Sequence, residues 1–223
     1  MCYHLPDARS SDRNPHALLP DRGAFLYASR GGEMTDDPDR TALHQVLDES
    51  GMAHTVARMA AEILERDGDD LMLVGIHTRG VPLANRLAGA LEEATGRKVT
   101  VGRLDISLYR DDVGPWRPAH QQPVLKETVL PDSIDDRVVY LIDDVIFTGR
   151  TTRAGLDTLL DWGRPLAVRL AVLVDRGHRE LPIAADIVGK MLNTARDEDV
   201  RVRFAEVDGE DGVWIGSGVN GAD

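Results

Sequence analysis

The chain has 223 residues and a formal net charge of −12, with 42% hydrophobic and 4% aromatic residues, which suits one hydrophobic core or a domain with an extension. No apolar run reaches the roughly 18 residues of a membrane span, no secretory signal opens the chain, and the single cysteine, Cys2, excludes an internal disulfide framework, so we expect a protein of the reducing cytoplasm. The negative charge and low aromatic content argue against nonspecific nucleic-acid binding, without excluding a local basic face.

Residues 1–40 are rich in proline and glycine, carry mixed charges and have no sustained hydrophobic periodicity. This composition predicts a disordered extension in front of a single domain at 41–218, with a short tail at 219–223. We also expect translation to start at Met34, because the Gly-Gly-Glu tripeptide before it is compatible with a purine-rich ribosome-binding site in the gene. If Met1 is the true start, the extension is a disordered tail rather than a domain.

Hydrophobic spacing predicts alternating helices and strands in the rest of the chain. Helices are predicted over 50–66, from 80 to about 96, and over 151–162. Strands are predicted over 71–76, 99–108, 138–142 and 167–174, with short strands near 187 and over 200–207. The predicted apolar faces are Met52, Val56, Met59 and Ile63 in the first helix, and Leu104, Ile106 and Leu108 in the second strand. This alternation predicts a parallel α/β sheet, in which ligands bind beyond the carboxyl ends of the strands.

The stretch from Val138 to Thr152 is the most informative part of the chain. Five apolar residues run into the neighbouring carboxylates Asp143 and Asp144, and a Thr148-Gly-Arg-Thr-Thr loop then opens a helical pattern. A small-residue loop at a helix N-terminus offers backbone N–H groups to a phosphate. Paired carboxylates can hold ribose hydroxyls or a magnesium ion. The alternative is that Asp144 binds no ligand and starts a turn. A sugar phosphate is the simplest ligand that uses both features.

A second segment of the same kind joins the strand at 71–76 to the next helix. Thr78, Arg79 and Gly80 can bind an anion at the helix N-terminus, and Arg79 can meet phosphate oxygens through its planar guanidinium. A surface arginine without a ligand is the alternative. The loop at 109–123 is long and rich in proline, which is typical of a loop that acts in function or moves, although a plain connection between strands is the alternative.

Five segments in a fixed order resemble the type I phosphoribosyltransferases and, within them, the PyrR family. They are 73–80, 104–112, 138–152, 163–165 and 170–183, and the long charged run Asp-Arg-Gly-His-Arg-Glu-Leu-Pro in the last is close to diagnostic. The resemblance covers about 48–215 of the chain. It implies an α/β fold with a central twisted, mostly parallel sheet flanked by helices, and a small hood near 175–200.

The resemblance implies a uracil phosphoribosyltransferase, which converts uracil and phosphoribosyl pyrophosphate (PRPP) to UMP and pyrophosphate with Mg²⁺. It also implies a regulator of pyrimidine operons that binds leader mRNA in response to UMP or UTP, and a homodimer or higher oligomer. The long loop is implied to close over PRPP and exclude water. Two alternatives stay open: a nucleotide-sensing RNA regulator that reuses the site, and a phosphoribosyltransferase for another base, such as a purine, without an RNA role.

The resemblance also implies roles for individual residues. The implied catalytic residues are Arg79, Arg110, Asp143, Asp144 and Arg176. PRPP and its 5′-phosphate are expected at Val145, Phe147, Thr148, Gly149, Arg150, Thr151 and Thr152, and the pyrophosphate at Thr78, Arg79, Gly80, Arg110 and Arg176. Residues expected beside the base are Asp175, His178, Ile187 and Val188. Magnesium, bound with PRPP, is expected at Asp143 and Asp144.

The chain departs from the family pattern near the expected base site and RNA face. The segments 184–187 and 189–195 differ from the usual sequence, and the first helix carries alanines where relatives tend to have arginines and hydrogen-bonding residues. The residues left for RNA are His54, Arg58 and Lys190. We therefore expect RNA binding to be weak or altered, unless other arginines rebuild the face. The candidates for that are Arg179, Arg196 and Arg201.

Overall fold

The computed structural model describes residues 43–109 and 126–217. The predicted extension at 1–40, the expected start at Met34, the tail at 219–223 and Arg110 all lie outside these residues. In chain order the elements are β1 (Leu43–Leu47), α1 (Glu49–Asp67), β2 (Leu71–Ile76), α2 (Gly80–Thr95), β3 (Thr100–Leu104), β4 (Val138–Ile146), α3 (Arg150–Leu160), β5 (Ala167–Asp175), β6 (Ile187–Met191), β7 (Glu198–Arg203), α4 (Ala205–Asp208) and β8 (Gly212–Ser217). Of the helices within this described part, none is long and apolar enough to cross a membrane.

The main sheet has five parallel strands in the order β3-β2-β4-β5-β6, as the alternating pattern predicts. β2 is buried along its whole length because its sequence, Leu-Met-Leu-Val-Gly-Ile, is apolar on both faces. Its side chains alternate between the two sides, so that Leu71 and Leu73 join one core and Met72 and Val74 join the other. Helices therefore cover both faces of the sheet.

The first core lies between the main sheet and the helices α1 and α2. The apolar face predicted for the first helix is confirmed, since Met52, Val56, Met59 and Ile63 are all buried. Asp48 caps α1 by accepting a hydrogen bond from the N–H of Gly51 at 2.7 Å. The second core lies under α3 and contains Ala154 and Leu159. Burial of each large apolar side chain contributes about 1.5–3 kcal/mol, so packing holds the helices against the sheet.

A separate antiparallel sheet has three strands in the order β1-β8-β7. Sequence analysis predicts β7 but neither β1 nor β8, and it expects the hood near 175–200. In the structure β6 belongs to the main sheet, where Ala171 of β5 pairs with Ile187. The second sheet instead pairs the two ends of the described domain, with Leu43 opposite Gly216. Pairing between residues so distant in sequence leaves no local pattern to detect.

Two element boundaries differ from prediction in ways that matter for function. The predicted strand at 138–142 extends to Ile146, so that Asp143 and Asp144 lie within β4 rather than after it. The predicted strand at 99–108 ends at Leu104, and the placement of Leu108 on its apolar face is wrong because Leu108 is 77% exposed. The strand stops there since Asp105 turns back to accept hydrogen bonds from Ser107.

Candidate active site

Two loops that open helices meet at the carboxyl edge of the main sheet. The loop from β2 to α2 contains a cis peptide bond between His77 and Thr78 and ends at Gly80, the first residue of α2. A Cβ atom on Gly80 would lie 2.3 Å from the carbonyl oxygen of Ile142. Only glycine fits at this distance, so this loop packs directly against β4, beside Asp143.

The loop from β4 to α3 contains the residues expected to hold the 5′-phosphate. Gly149 has φ of 91°, a left-handed conformation that favours glycine, and it caps the N-terminus of α3. The N–H of Arg150 donates to Oγ1 of Thr148 at 3.4 Å. Thr152 is buried and Thr151 is half-buried. Val145 and Phe147 border the loop and are also half-buried. The loop thus presents a helix N-terminus and a tight turn, as anion binding requires.

The charged run at the end of β5 supports the loop from β4 to α3, which is called the phosphate loop after the ligand expected there. The carbonyl of Thr148 accepts hydrogen bonds from the N–H groups of Glu180 and Leu181 at 2.9 and 3.2 Å. The Glu180 carboxylate accepts from Nε of Arg150 at 2.9 Å. Arg179 Nη1 donates to the carbonyl of Phe147 at 2.8 Å. The run 175–183 is therefore a strut that fixes the phosphate loop. The sequence singles out this run and names Arg179 as a candidate for RNA contact, but it does not predict that Arg179, Glu180 and Leu181 support the loop.

Two of the residues expected beside the base, Asp175 and His178, belong to this strut and form hydrogen bonds there. Asp175 accepts from Nη2 of Arg179 at 2.5 Å and from the N–H of Gly177 at 2.9 Å. His178 has φ of 59°, and its Nε2 lies 2.7 Å from the carbonyl oxygen of Thr194. These contacts give Asp175 and His178 structural roles in holding the turn. Their position at the carboxyl end of β5 keeps them at the same edge of the sheet as the phosphate loop.

Arg176, expected at the pyrophosphate, is 7% exposed and lies inside the protein. Its Nη2 donates to the carbonyl oxygens of Ala195 and Glu198, and its guanidinium carbon lies 4.2 Å from the centre of the Phe147 ring. Burial lowers the pKa of its guanidinium. These contacts tie the strut to the start of β7, so the structure gives Arg176 a structural role.

The two carboxylates of β4 are in different environments, because successive side chains of a strand point to opposite faces. Asp143 is 6% exposed, and its Oδ1 accepts from the N–H of Asp144 at 3.0 Å. Asp144 lines a cavity of about 480 Å³ together with Arg79. Burial raises the pKa of Asp144, although the contacts with Asp143 and Arg79 oppose the rise. Asp144 is therefore the carboxylate of the pair that a ligand in this cavity can reach.

Arg79 lies at the N-cap of α2, with Thr78 before it exposed at the end of the loop. Its guanidinium forms a two-point ion pair with Asp208 of α4, at 2.7 and 3.1 Å. This pairing raises the pKa of Arg79 and lowers that of Asp208. The rest of the cavity wall comes from β7, with Asp199, Val200, Arg201, Val202 and Arg203. Sequence analysis missed Asp208 because nothing local connects it to Arg79.

The base of the long loop is held by Asp105. Its Oδ2 accepts from the N–H of Lys126 at 2.6 Å, and its own N–H donates to Oγ1 of Thr128 at 3.0 Å. Burial by itself raises the pKa of Asp105, but hydrogen bonds from Ser107 and Lys126 outweigh it and lower the pKa. The two ends of the loop are thus joined at the sheet edge. Arg110, expected to reach the pyrophosphate from this loop, lies outside the described residues.

The remaining residues expected beside the base, and those expected to contact RNA, lie in α1 and β6. Ile187 is buried and Val188 is half-buried in β6. Arg58 of α1 donates to the carbonyls of Val188, at 3.1 Å, and of Gly189, and it also pairs with Glu62. His54 is exposed on α1, and Lys190 is half-buried in β6. The structure thus brings Arg58 to the β6 backbone, where its charge already has partners.

Comparison with known protein families supports the same assignment of the domain. Residues 42–203 match the phosphoribosyl transferase domain. A protein of Clostridioides difficile strain 630 named Bifunctional protein PyrR is 51% identical over 173 residues, which cover 77% of this chain and 96% of that protein. A protein of the same name from Streptomyces coelicolor is 55% identical over 175 residues, covering 77% and 89% of the two chains.

Solved structures show the same fold at low sequence identity. A hypoxanthine phosphoribosyltransferase of Staphylococcus aureus matches with a TM-score of 0.59 at 19% identity, covering 84% of this chain and 98% of that one. The hypoxanthine phosphoribosyltransferase of Trypanosoma cruzi matches with a TM-score of 0.57 at 16% identity, covering 78% and 96%. These likenesses concern the fold alone, and it is the type I phosphoribosyltransferase fold. The phosphoribosyl transferase domain matches most of the chain, and the proteins named Bifunctional protein PyrR are more than 50% identical to it. The chain therefore belongs to the PyrR family of phosphoribosyltransferases.

Proposed function

We propose that the protein is a uracil phosphoribosyltransferase that converts uracil and PRPP to UMP and pyrophosphate. We propose further that it regulates pyrimidine operons through mRNA in response to uridine nucleotides. The observation that carries the enzymatic part is that Arg79, Asp144 and the Gly149 turn lie at one edge of a parallel sheet. A ligand with a phosphate, a ribose and a pyrophosphate uses all three.

The roles in this proposal follow from the chemistry of each group. The helix N-terminus at Gly149 would bind the 5′-phosphate through backbone N–H groups. Asp144, with Asp143 behind it, would accept hydrogen bonds from the ribose hydroxyls and stabilise positive charge that builds at the anomeric carbon. Arg79 would neutralise the leaving pyrophosphate. No covalent nucleophile is needed, so the rate enhancement would come from positioning and preorganised charge. Uracil would bind beside β6, near Val188.

Magnesium fits this site as a partner of PRPP. The ion prefers oxygen ligands and is usually held by one or two carboxylates together with substrate phosphates. Asp144 supplies a carboxylate that faces the cavity, with Asp143 behind it in β4. Across 43–109 and 126–217 no cluster of three or more His, Cys, Asp and Glu side chains could hold a metal by itself. When bound, magnesium would offset the charge of the pyrophosphate as it leaves.

The enzymatic proposal is tested by a spectrophotometric assay of the full chain with PRPP and several bases. We expect UMP formation from uracil, dependence on added magnesium, and no turnover of cytosine, hypoxanthine or guanine. Turnover of a purine base would instead support the alternative of a phosphoribosyltransferase for another base. Absence of turnover with every base, together with retained UMP binding, would favour a nucleotide sensor.

For the regulatory role, the surface of α1 points to weak RNA binding. Three alanines of this helix are exposed, and its Arg58 is already paired with Glu62. The arginines that could rebuild a basic face also have acidic partners: Arg179 pairs with Asp175, Arg196 with Glu180, and Arg201 with Asp199. Each phosphate contact that is missing weakens binding and reduces its salt dependence by about one counterion.

A gel shift with the leader RNA of the host's own pyrimidine operon tests this part, with and without UMP. We expect dissociation constants in the micromolar range and little difference from an RNA of scrambled hairpin sequence. Nanomolar binding that UMP strengthens would show that the basic face is intact. In that case the alternative of a primarily RNA-binding regulator would become the leading interpretation.

A further inference from the structure

The side chain of Arg79 is held by a residue from the other end of the domain. Its Nε donates to Oδ2 of Asp208 at 3.1 Å, and its Nη2 donates to Oδ1 at 2.7 Å. These two bonds use one edge of the guanidinium. The end of the guanidinium, formed by Nη1 and the second N–H of Nη2, is a free edge for a second bidentate contact. Arg79 also lines the cavity that contains Asp144, so a ligand-sized space lies beside its side chain.

Asp208 itself is fixed independently of Arg79. Its Oδ2 accepts a hydrogen bond from the N–H of Phe204 at 3.0 Å, and Phe204 is fully buried. The Asp208 side chain is only 16% exposed, against 39% for Arg79. The carboxylate is therefore the rigid member of the pair, and the long arginine side chain is the member that needs to be ordered.

The short helix α4 is anchored to α2 by a second arginine. Arg86 donates to both carboxylate oxygens of Glu206 and to both of Asp211, at 2.6 to 2.8 Å. Its guanidinium carbon lies 5.0 Å from the centre of the Phe204 ring. This contact holds α4 against α2 without involving Arg79, so the position of Asp208 has a support other than its pair with Arg79.

We propose that Asp208 is a positioning residue for Arg79, which orders its guanidinium so that the free edge faces the pyrophosphate end of PRPP. The proposal rests on the proposed function, because it assigns the pyrophosphate to the cavity beside Asp144. Preorganisation of this kind strengthens binding because the side chain is already ordered when the ligand arrives. The segment between β7 and β8 then contributes to the active site by orienting a residue that binds the substrate.

The competing interpretation is that Asp208 occupies Arg79 and must be displaced by pyrophosphate. The two interpretations predict opposite changes in pyrophosphate affinity when Asp208 is replaced. Removing the Asp208 charge weakens pyrophosphate binding if Asp208 orders Arg79, and strengthens it if Asp208 competes. Positioning is favoured because Asp208 is anchored by Phe204 and because the guanidinium has a second edge available.

The test measures KM for PRPP and the dissociation constant of magnesium pyrophosphate in Asp208→Asn, Arg79→Ala and the double variant. We expect Asp208→Asn to raise both constants about tenfold, as loss of an orienting partner commonly does, with a smaller change in kcat and an almost unchanged melting temperature. In the Arg79→Ala background the same substitution has no further effect, because Asp208 acts only through Arg79. Asp69→Asn, which removes a carboxylate paired with the exposed Arg97, is the matched control and leaves both constants unchanged.

Unchanged or tighter pyrophosphate binding in Asp208→Asn would overturn the proposal, and tighter binding would establish competition. An equal loss in the presence and absence of Arg79 would show that Asp208 acts through the general stability of the domain. If the wild-type protein turns over PRPP and Asp208→Asn leaves both constants unchanged, this inference alone is refuted. A wild-type protein that binds neither PRPP nor pyrophosphate refutes the proposed function as well.

Discussion

The loops that open α3 and α2 lie side by side, but they are built differently. The loop before α3 depends on its backbone, with Gly149 at φ of 91° as the N-cap. The loop before α2 depends on a side chain, Arg79, whose orientation is set by Asp208, 129 residues away in sequence. A backbone anion site is specified by a few neighbouring residues, whereas an arginine needs a partner from elsewhere to hold it.

The contrast is one of degree, because the phosphate loop also receives outside support. The carbonyl of Thr148 accepts hydrogen bonds from Glu180 and Leu181. This explains why the run after β5 is both long and charged: Asp175 pairs with Arg179, and Glu180 pairs with Arg150. The strut stabilises a loop that already has the right conformation, while Asp208 supplies the orientation that Arg79 lacks.

The largest expected effect concerns the packing of the α2 loop. Gly80→Ala places a Cβ 2.3 Å from the carbonyl oxygen of Ile142, so the loop must move away from β4. We expect kcat/KM to fall about a hundredfold or more, since a displacement of about an ångström has that effect on catalytic geometry. Gly89→Ala in the same helix is the control, because nothing lies within 4 Å of a Cβ there. Activity of Gly80→Ala equal to that of the control would contradict the packing argument.

The carboxylates between the two loops give the next largest effect. Asp143→Asn and Asp144→Asn are each expected to lower kcat/KM for PRPP at least about tenfold, which is about 1.4 kcal/mol of transition-state stabilisation. Steady-state kinetics at saturating magnesium measure this loss. Asp157→Asn, an exposed residue of α3 paired with Arg153, is the control and is expected to have wild-type kinetics. Wild-type kinetics in the double variant of Asp143 and Asp144 would remove both from the site.

A third prediction isolates the backbone of the phosphate loop. Gly149→Ala leaves only ordinary contacts, the nearest at 3.5 Å from Leu181 Cβ, but it strains a positive φ. The strain costs about 1–2 kcal/mol, and relief by movement of the loop is expected to raise KM for PRPP about threefold to tenfold. Gly96→Ala, at φ of 69° after α2, carries similar strain away from the site. Both variants should melt earlier, and only Gly149→Ala should change KM.

The smallest expected effect is the response of the α4 contacts to acid. Arg79 lowers the pKa of Asp208, and Arg86 lowers those of Glu206 and Asp211. Because these pKa values lie below those of the unfolded chain, about 3.9 to 4.3, the pairs stabilise the fold above that range and lose this contribution as the pH falls through the lowered values. Urea unfolding from pH 6 to about 3 should show a smaller acid loss in Arg86→Met than in wild type. If the free energy of unfolding falls equally with acid in Arg86→Met and in wild type, these ion pairs are not the source of the acid loss.

Much of the main sheet and the phosphate loop could be predicted because their signals are local. An apolar run predicts β2 at its observed bounds, and helical spacing predicts the buried face of α1. The small-residue loop Thr148–Thr152 predicts a helix over 151–162, and the observed α3 is Arg150–Leu160. The resemblance to the PyrR family rests on the same local segments and is confirmed.

The amino-acid sequence by itself determined the parallel α/β architecture, the family and the two loops that open α2 and α3, because hydrophobic periodicity and short motifs act over a few residues. Only the tertiary structure decided which charged groups meet. It buried Arg176 among backbone carbonyls, paired Arg58 with β6 and Glu62, and brought Asp208 to Arg79. It also paired β1 with β8 across the whole domain. Ion pairs and antiparallel strands between distant segments depend on how the chain folds back, and no local pattern records that.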